Sequence, residues 1–208
     1  VSTEEEALRQ LGSVSFDLVI CMPGTGDNDS FDIGRHIKEK YEQIPIVILT
    51  PFSHGITKRI ANEDLSAFDY VFCWLGNTDL LVSIIKLIED RMNADNDILQ
   101  VGVQSILLVE DSVKYYSTYL PTIYKLVLQQ SREFAKEALN EQQQKLRKRA
   151  RPKILLATNY AEAVELYEKY KNNLLGVISD VGFVIHKDDP ASSEKLDAGI
   201  DLCIRRRC

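Results

Sequence analysis

Two apolar runs, each ending in acid, constrain this chain most. Ile106-Leu107-Leu108-Val109 runs directly into Glu110 and Asp111, and Leu174-Leu175-Gly176-Val177-Ile178-Ser179 runs into Asp180. Short runs rich in leucine and β-branched residues read as strands of a parallel sheet buried on both faces. In an open α/β sheet the ligand site lies beyond the carboxyl ends of the strands. Two such strands side by side would bring Glu110, Asp111 and Asp180 to one edge. Carboxylates crowded together repel unless a hard cation lies among them. The ion that suits oxygen donors and retained water is Mg2+.

The rest of the chain alternates strands with helices. Thr3 is placed to cap a helix over 3–11, with Glu6 in the capping-box position. Strands are expected at 16–22, 44–50 and 70–74, with helices at 31–41, 56–63 and 78–92. The last of these carries Leu80, Leu81, Ile84, Ile85, Leu87 and Ile88 and is expected to close the first half. Asn93 to Asp97 is polar and reads as a linker. A second half follows, with strands at 104–109, 153–157 and 174–179 and helices at 112–149, 160–170 and from about 194. Pro121 should kink or restart the long helix. This alternation means α/β architecture, a doubly wound parallel sheet with helices on both faces. Glu5 to Leu8 before the 16–22 strand echoes Ala161 to Val164 before the 174–179 strand. Asp32 to Arg35 echoes Ala198 to Asp201. The 208 residues therefore divide into two related domains, 1–97 and 98–208.

Composition removes several function classes. A net charge of −6 argues against a nucleic-acid binder, because a phosphate backbone calls for a basic face. Cys21, Cys73, Cys203 and Cys208 show no metal-ligand or disulfide spacing and suit the reducing cytoplasm. No run is long and apolar enough to span a membrane. His36, His54 and His186 stand apart from one another, so they read as surface or core histidines rather than ligands. The loop Gly24 to Asp29 fits neither an EF-hand nor a phosphate-binding glycine loop and reads as a plain polar loop. Lys145, Arg147, Lys148, Arg149, Arg151 and Lys153 form a basic cluster, read as a solvated helix end.

Taken together, these residues resemble response-regulator receiver domains. The resemblance implies a flavodoxin-like, five-stranded, doubly wound parallel sheet in each half. Its signature is an acidic pair after the first strand, a phospho-accepting Asp after the third, a Thr or Ser after the fourth and a Lys after the fifth. In the second half, Leu107-Leu108-Val109-Glu110-Asp111-Ser112 is similar to the first of these and Gly176-Val177-Ile178-Ser179-Asp180 to the second. Asp180 would then accept a phosphoryl group. Glu110, Asp111, Asp180 and the Gly182 backbone carbonyl would hold Mg2+. In the first half the acceptor position is Met22, the Thr position is Thr50, and the Lys position is Cys73 followed by Trp74. That half resembles a pseudo-receiver, with the fold kept and the site lost. It lacks a first strand, and the second half lacks strands four and five with their Thr and Lys. Two explanations follow: the sequence is trimmed at both ends, or the halves complement one another, within a chain or between swapped chains.

The implied function is that of a cytoplasmic, bacterial phosphorelay receiver. Its partners would be a sensor histidine kinase or phosphotransfer protein and an output domain in a longer chain, such as one of phosphoenolpyruvate-synthase or pyruvate-phosphate-dikinase type. Such a domain is at most self-phosphorylating and not a conventional enzyme. The helical stretch 112–149, roughly 55 Å if continuous, would pair with a second copy or a partner, with Tyr116, Leu120, Ile123 and Val127 as a core-facing stripe that Phe134, Ala138 and Leu139 extend. Two other readings stand beside this one. One is a non-catalytic pseudo-receiver scaffold or dimerisation module. The other is a small flavodoxin-like enzyme, weakened by the lack of a phosphate-cradling loop.

Overall fold

The computed structural model of the chain describes residues 3–23, 30–51, 63–136, 140–142, 150–186, 189 and 193–206, and the contacts below belong to those residues. They divide into two compact units, 1–78 and 79–208.

The first unit opens with α1 (Glu4–Ser13), where Thr3 Oγ1 accepts the Glu6 N–H at 3.3 Å. β1 (Val19–Cys21), α2 (Ser30–Lys40), β2 (Ile46–Pro51) and β3 (Tyr70–Trp74) follow. The three strands are parallel in the order β1-β2-β3. The strand expected over 16–22 is shorter because only Val19 to Cys21 pair, opposite Ile46 to Ile48. β2 is the buried centre, with Ile46, Val47, Ile48 and Leu49 all sealed from water. Phe31 and Phe68 meet edge to face at 6.0 Å. Gly34 lies under Phe68, where any Cβ would overlap the ring. Asp69 ties the strand starts together: its N–H donates to the Ile46 carbonyl at 2.8 Å, and its Oδ2 accepts the Ile46 N–H at 3.0 Å. The loop 24–29 and the helix expected at 56–63 (apart from residue 63) lie outside the described residues.

The second unit begins with α3 (Asp79–Ala94), which winds into a π-helical turn, Asp95–Gln100. β4 (Ser105–Val109), α4 (Val113–Lys136), β5 (Lys153–Ala157), α5 (Tyr160–Tyr170), a 3-10 turn, β6 (Leu174–Ser179) and α6 (Ala198–Arg206) complete it. The strands are parallel in the order β5-β4-β6, with β4 central. Leu107, Val109, Leu155 and Ala157 share a core with Ala163 and Tyr170 of α5 and with Ala198 and Leu202 of α6. Leu108, Ile154 and Leu156 alternate with them and are also buried. α3 packs on β5 and on α4. The architecture is α/β, as expected; three strands, not five, are described in each unit.

Several expectations change. The 79–94 helix belongs with the second unit, not the first, and the chain divides after Thr78 rather than at 97. The polar stretch read as a linker is helical because its acids have partners. Asp95 accepts from the Tyr170 hydroxyl at 2.5 Å and pairs with Lys169 at 2.7 Å, and Asp97 pairs with Lys153 at 2.6 Å. The long helix runs through Pro121 as one element and is described to Lys136, so its 24 residues span about 36 Å. Its buried stripe is Tyr116, Leu120 and Tyr124, a spacing of four that passes beside Ile123. Ala138, Leu139 and Lys145 to Arg149 lie outside the described residues. Among the described residues no helix is long and apolar enough to cross a membrane.

The reassigned helix buries Leu80, Ile84, Leu87 and Ile88, and one polar residue pins it. Asp90, on α3, is 0% exposed. Its Oδ1 accepts from Arg151 Nη2 at 2.7 Å. Its Oδ2 accepts from Arg151 Nη1 at 2.9 Å, the Tyr124 hydroxyl at 2.9 Å and the Ile154 N–H at 3.0 Å. Lys153 Nζ stands 3.7 Å away. Arg151 and Lys153 are therefore not part of a solvated helix end; both are buried and neutralised. Removing one partner of such a set leaves an uncompensated buried charge, which costs about 3–5 kcal/mol. Asp90→Asn should lower the urea unfolding free energy of the second unit by that amount. A loss in the range of an exposed pair, below about 1 kcal/mol, would contradict the burial.

Candidate functional site

The parallel register brings the acid-tipped strands to one edge. Val109 is opposite Ser179 on β6 and Ala157 on β5. The pairing continues one residue further: the Asp180 N–H donates to the Val109 carbonyl at 2.9 Å, and the Glu110 N–H to the Ala157 carbonyl at 3.0 Å. Glu110, Asp111 and Asp180 thus leave adjacent strands at the same carboxyl end.

Each carboxylate is oriented by backbone. Glu110 Oε1 accepts the Ser112 N–H at 3.1 Å, Asp111 Oδ2 the Val184 N–H at 3.1 Å, and Asp180 Oδ1 the Val181 N–H at 2.7 Å. The loop after β6 is itself anchored. Val184 and Ile185 accept the first N–H groups of α5, from Tyr160 at 3.0 Å and Ala161 at 3.1 Å. Phe183 stacks on Tyr160 at 6.3 Å, and Phe183 forms an antiparallel bridge with Lys195. α5 is capped at its start: Asn159 Oδ1 accepts the Glu162 N–H at 2.9 Å, and Glu162 Oε2 reaches back to accept the Thr158 N–H at 2.9 Å.

The bridge at Lys195 delivers a fourth acid that the sequence reading passed over. Glu194 lies over Gly182, where a Cβ would stand 2.7 Å from its Oε1. Nothing in the polar stretch 181–197 marks Glu194 by spacing; only the chain reversal brings it near. Gly182 is buried beneath Glu194 and Leu196.

The electrostatics are those of an acid-rich recess. Glu110 is 4% exposed, and among the described residues no basic side chain pairs with it. Burial pushes its carboxyl up to about 7, against the pull of the Ser112 N–H. The charges of Asp180, Asp111 and Glu194 push the same way. Asp111 is raised by burial and by Asp180, while the Val184 N–H opposes the rise. Among the described residues no group of three His, Cys, Asp or Glu side chains converges closely enough to form a metal cage. The acids reach one edge and repel one another there without closing on a common point. An all-oxygen set with surplus negative charge fits a hard ion that takes one or two carboxylates and keeps its waters, as Mg2+ does.

In the first unit, Met22 follows β1 and is exposed, while Thr50 and Cys73 are buried opposite one another on β2 and β3. The Thr50 hydroxyl donates to the Pro51 carbonyl at 2.8 Å. Burial pushes the Cys21 thiol, on β1, up to about 11. His36 stands on α2, with Nδ1 2.7 Å from Glu4.

The chain matches no protein-family model and no curated protein.

A raised carboxyl sets the sign of a pH effect. Between pH 4.5 and about 7 Glu110 is ionised in the unfolded chain while it still holds its proton in the folded one. Stability therefore falls as pH rises through that window, by about 3 kcal/mol for a rise of this size. Without divalent cations, denaturation at stepped pH should show that decline. Glu110→Gln should flatten it, leaving the smaller share of Asp111. An identical slope in both proteins would exclude Glu110 as its source.

Proposed function

We propose that the second unit is a cytoplasmic receiver-like module, built on the flavodoxin-like strand order, in which Asp180 accepts a phosphoryl group. The order β5-β4-β6 matches the 2-1-3 portion of that arrangement, which supports the reading. The observation that carries the reading is Glu110, a buried acid with acidic neighbours, just beyond the end of the central strand. A fold gains nothing from such an arrangement; it suits a site whose charge is balanced by something that binds.

Glu110, Asp111, Asp180 and the Gly182 carbonyl would hold Mg2+, one or two of the carboxylates directly and the other groups through its retained waters, and the ion would supply charge neutralisation for a phosphoryl group. Val181 N–H holds Asp180 Oδ1, so the reacting oxygen is Oδ2. Asp180 is exposed, which admits a donor from solvent or from a docked protein. Oδ2 attacks phosphorus in line. The new Oδ2–P bond forms as the bond from phosphorus to the donor atom breaks, and the donor leaves with the electron pair. Catalysis is positioning and charge neutralisation. The donor would be a histidine kinase or a phosphotransfer protein, and the readout an output domain outside this sequence. In the first unit Met22 offers no oxygen to phosphorus, so that unit acts as a scaffold.

The test is binding of Mg2+ with beryllofluoride, which imitates an aspartyl phosphate. One equivalent should bind to the wild-type chain and none to Asp180→Asn. Absence of both Mg2+ affinity and adduct would leave the scaffold reading in place.

A second copy is the proposed partner of α4. Tyr115 and Tyr119 stack at 6.1 Å on its outer face, with Leu126 and Phe134 further along and also exposed. Sedimentation equilibrium should give a dimer that Leu126→Glu converts to monomer. A monomeric wild-type chain would reject the pairing.

A further inference from the structure

Gly199 stands in the first turn of α6, nine residues long, and its backbone angles are not of the left-handed kind that glycine alone favours. A glycine inside a helix costs about 1 kcal/mol against alanine, so its place there calls for a reason. The reason is room. A Cβ on Gly199 would overlap the Asp180 carbonyl oxygen and would stand 3.0 Å from Ser179 Oγ. We propose that Gly199 is a positioning residue for Asp180. Its bare α-carbon lets α6 close on the Asp180–Val181 peptide, and that closure, with the Ser179 hydroxyl, fixes where the carboxylate stands.

The carbonyl of that peptide is held by a bond from the Ser179 hydroxyl, and the peptides before and after it are also tied. Asp180 N–H donates to Val109 on β4 at 2.9 Å, and the Ser179 hydroxyl donates to the Asp180 carbonyl at 2.8 Å. The Gly199 N–H donates to the Val181 carbonyl at 2.9 Å. The Asp180 carbonyl and the Val181 N–H belong to one rigid peptide plane. A push on that carbonyl therefore turns the N–H that holds Asp180 Oδ1 at 2.7 Å. Gly199 lies against the Asp180 backbone carbonyl and acts through the plane that aims the carboxylate. Residues that orient metal ligands in this way typically change affinity roughly 10- to 100-fold when altered.

The proposal rests on the reading of Asp180 as a Mg2+-assisted acceptor, and the experiment separates the two. Mg2+ is titrated into the full chain, into Gly199→Ala and into Ser179→Ala. The Val181 amide signal is followed by NMR, and thermal unfolding is recorded without Mg2+. Gly199→Ala should weaken Mg2+ binding roughly 10- to 100-fold and shift the Val181 amide while the protein stays folded at the assay temperature. Ser179→Ala adds no atoms and loses one hydrogen bond. It should weaken binding about fivefold, and it decides the matter alone if Gly199→Ala does not fold. A purely structural role would lower the unfolding temperature and leave both the affinity and the Val181 signal of the folded protein unchanged. If the wild-type chain binds Mg2+ and the variants bind equally well, positioning by Gly199 is overturned and the acceptor reading survives. If the wild-type chain binds no Mg2+, both fall together.

Discussion

The second unit depends on the burial of one carboxylate, Asp90. An acid with no exposed surface persists only if its lone pairs and charge are answered. Here a guanidinium grips both oxygens, and a tyrosine hydroxyl, a backbone N–H and a lysine complete the set. These partners come from α4, from the residues entering β5 and from β5 itself. Asp90 therefore fastens α3 to the helix and the strand it covers. Burial pulls the Arg151 guanidinium down, but the bonds and charge of Asp90 more than offset it, so Arg151 keeps its proton. With the buried Leu80, Ile84, Leu87 and Ile88, this ties the 79–94 helix to the second unit.

Glu110 is buried nearly as deeply, yet its neighbours have the opposite sign. Where Asp90 meets Arg151 and Lys153, Glu110 meets Asp111, Asp180 and Glu194. The same chain thus compensates one buried acid fully and, among the described residues, leaves the other with a single backbone N–H. Uncompensated burial next to like charge is the feature on which the proposed site rests. The scaffold supplies the precision. The β4–β6 register carries Asp180 beside Val109, the loop anchored on α5 holds Asp111, and the close approach of α6 sets the Asp180 peptide.

Much of this was legible in the residues. Both acid-tipped runs are strands, and they are neighbours, because leucine and β-branched runs of that length have few other folds. Thr3 and Glu6 announced α1 through cap chemistry alone. The boundary was not legible from polarity: Asn93 to Asp97 looks like a linker until Lys153, Lys169 and Tyr170 arrive from distant sequence. A local signal did exist at Asp90, which falls on the stripe Ser83, Leu87, Asp90, Ala94 of α3, all buried. A lone acid on an apolar stripe marks a buried ion pair, and Arg151 was available to supply it. Glu194 carried no such mark, because a chain reversal and not a periodicity brings it over Gly182.

The central claim is that the acidic edge is a place where Asp180 takes up a phosphoryl group. The most direct measurement is incubation of the chain with acetyl phosphate and Mg2+, followed by mass spectrometry of the intact protein and mapping of the labelled peptide. The account predicts one acid-stable, hydroxylamine-labile phosphoryl group per chain, on Asp180, that depends on Mg2+. An unlabelled protein, or a label at any other residue, would contradict it.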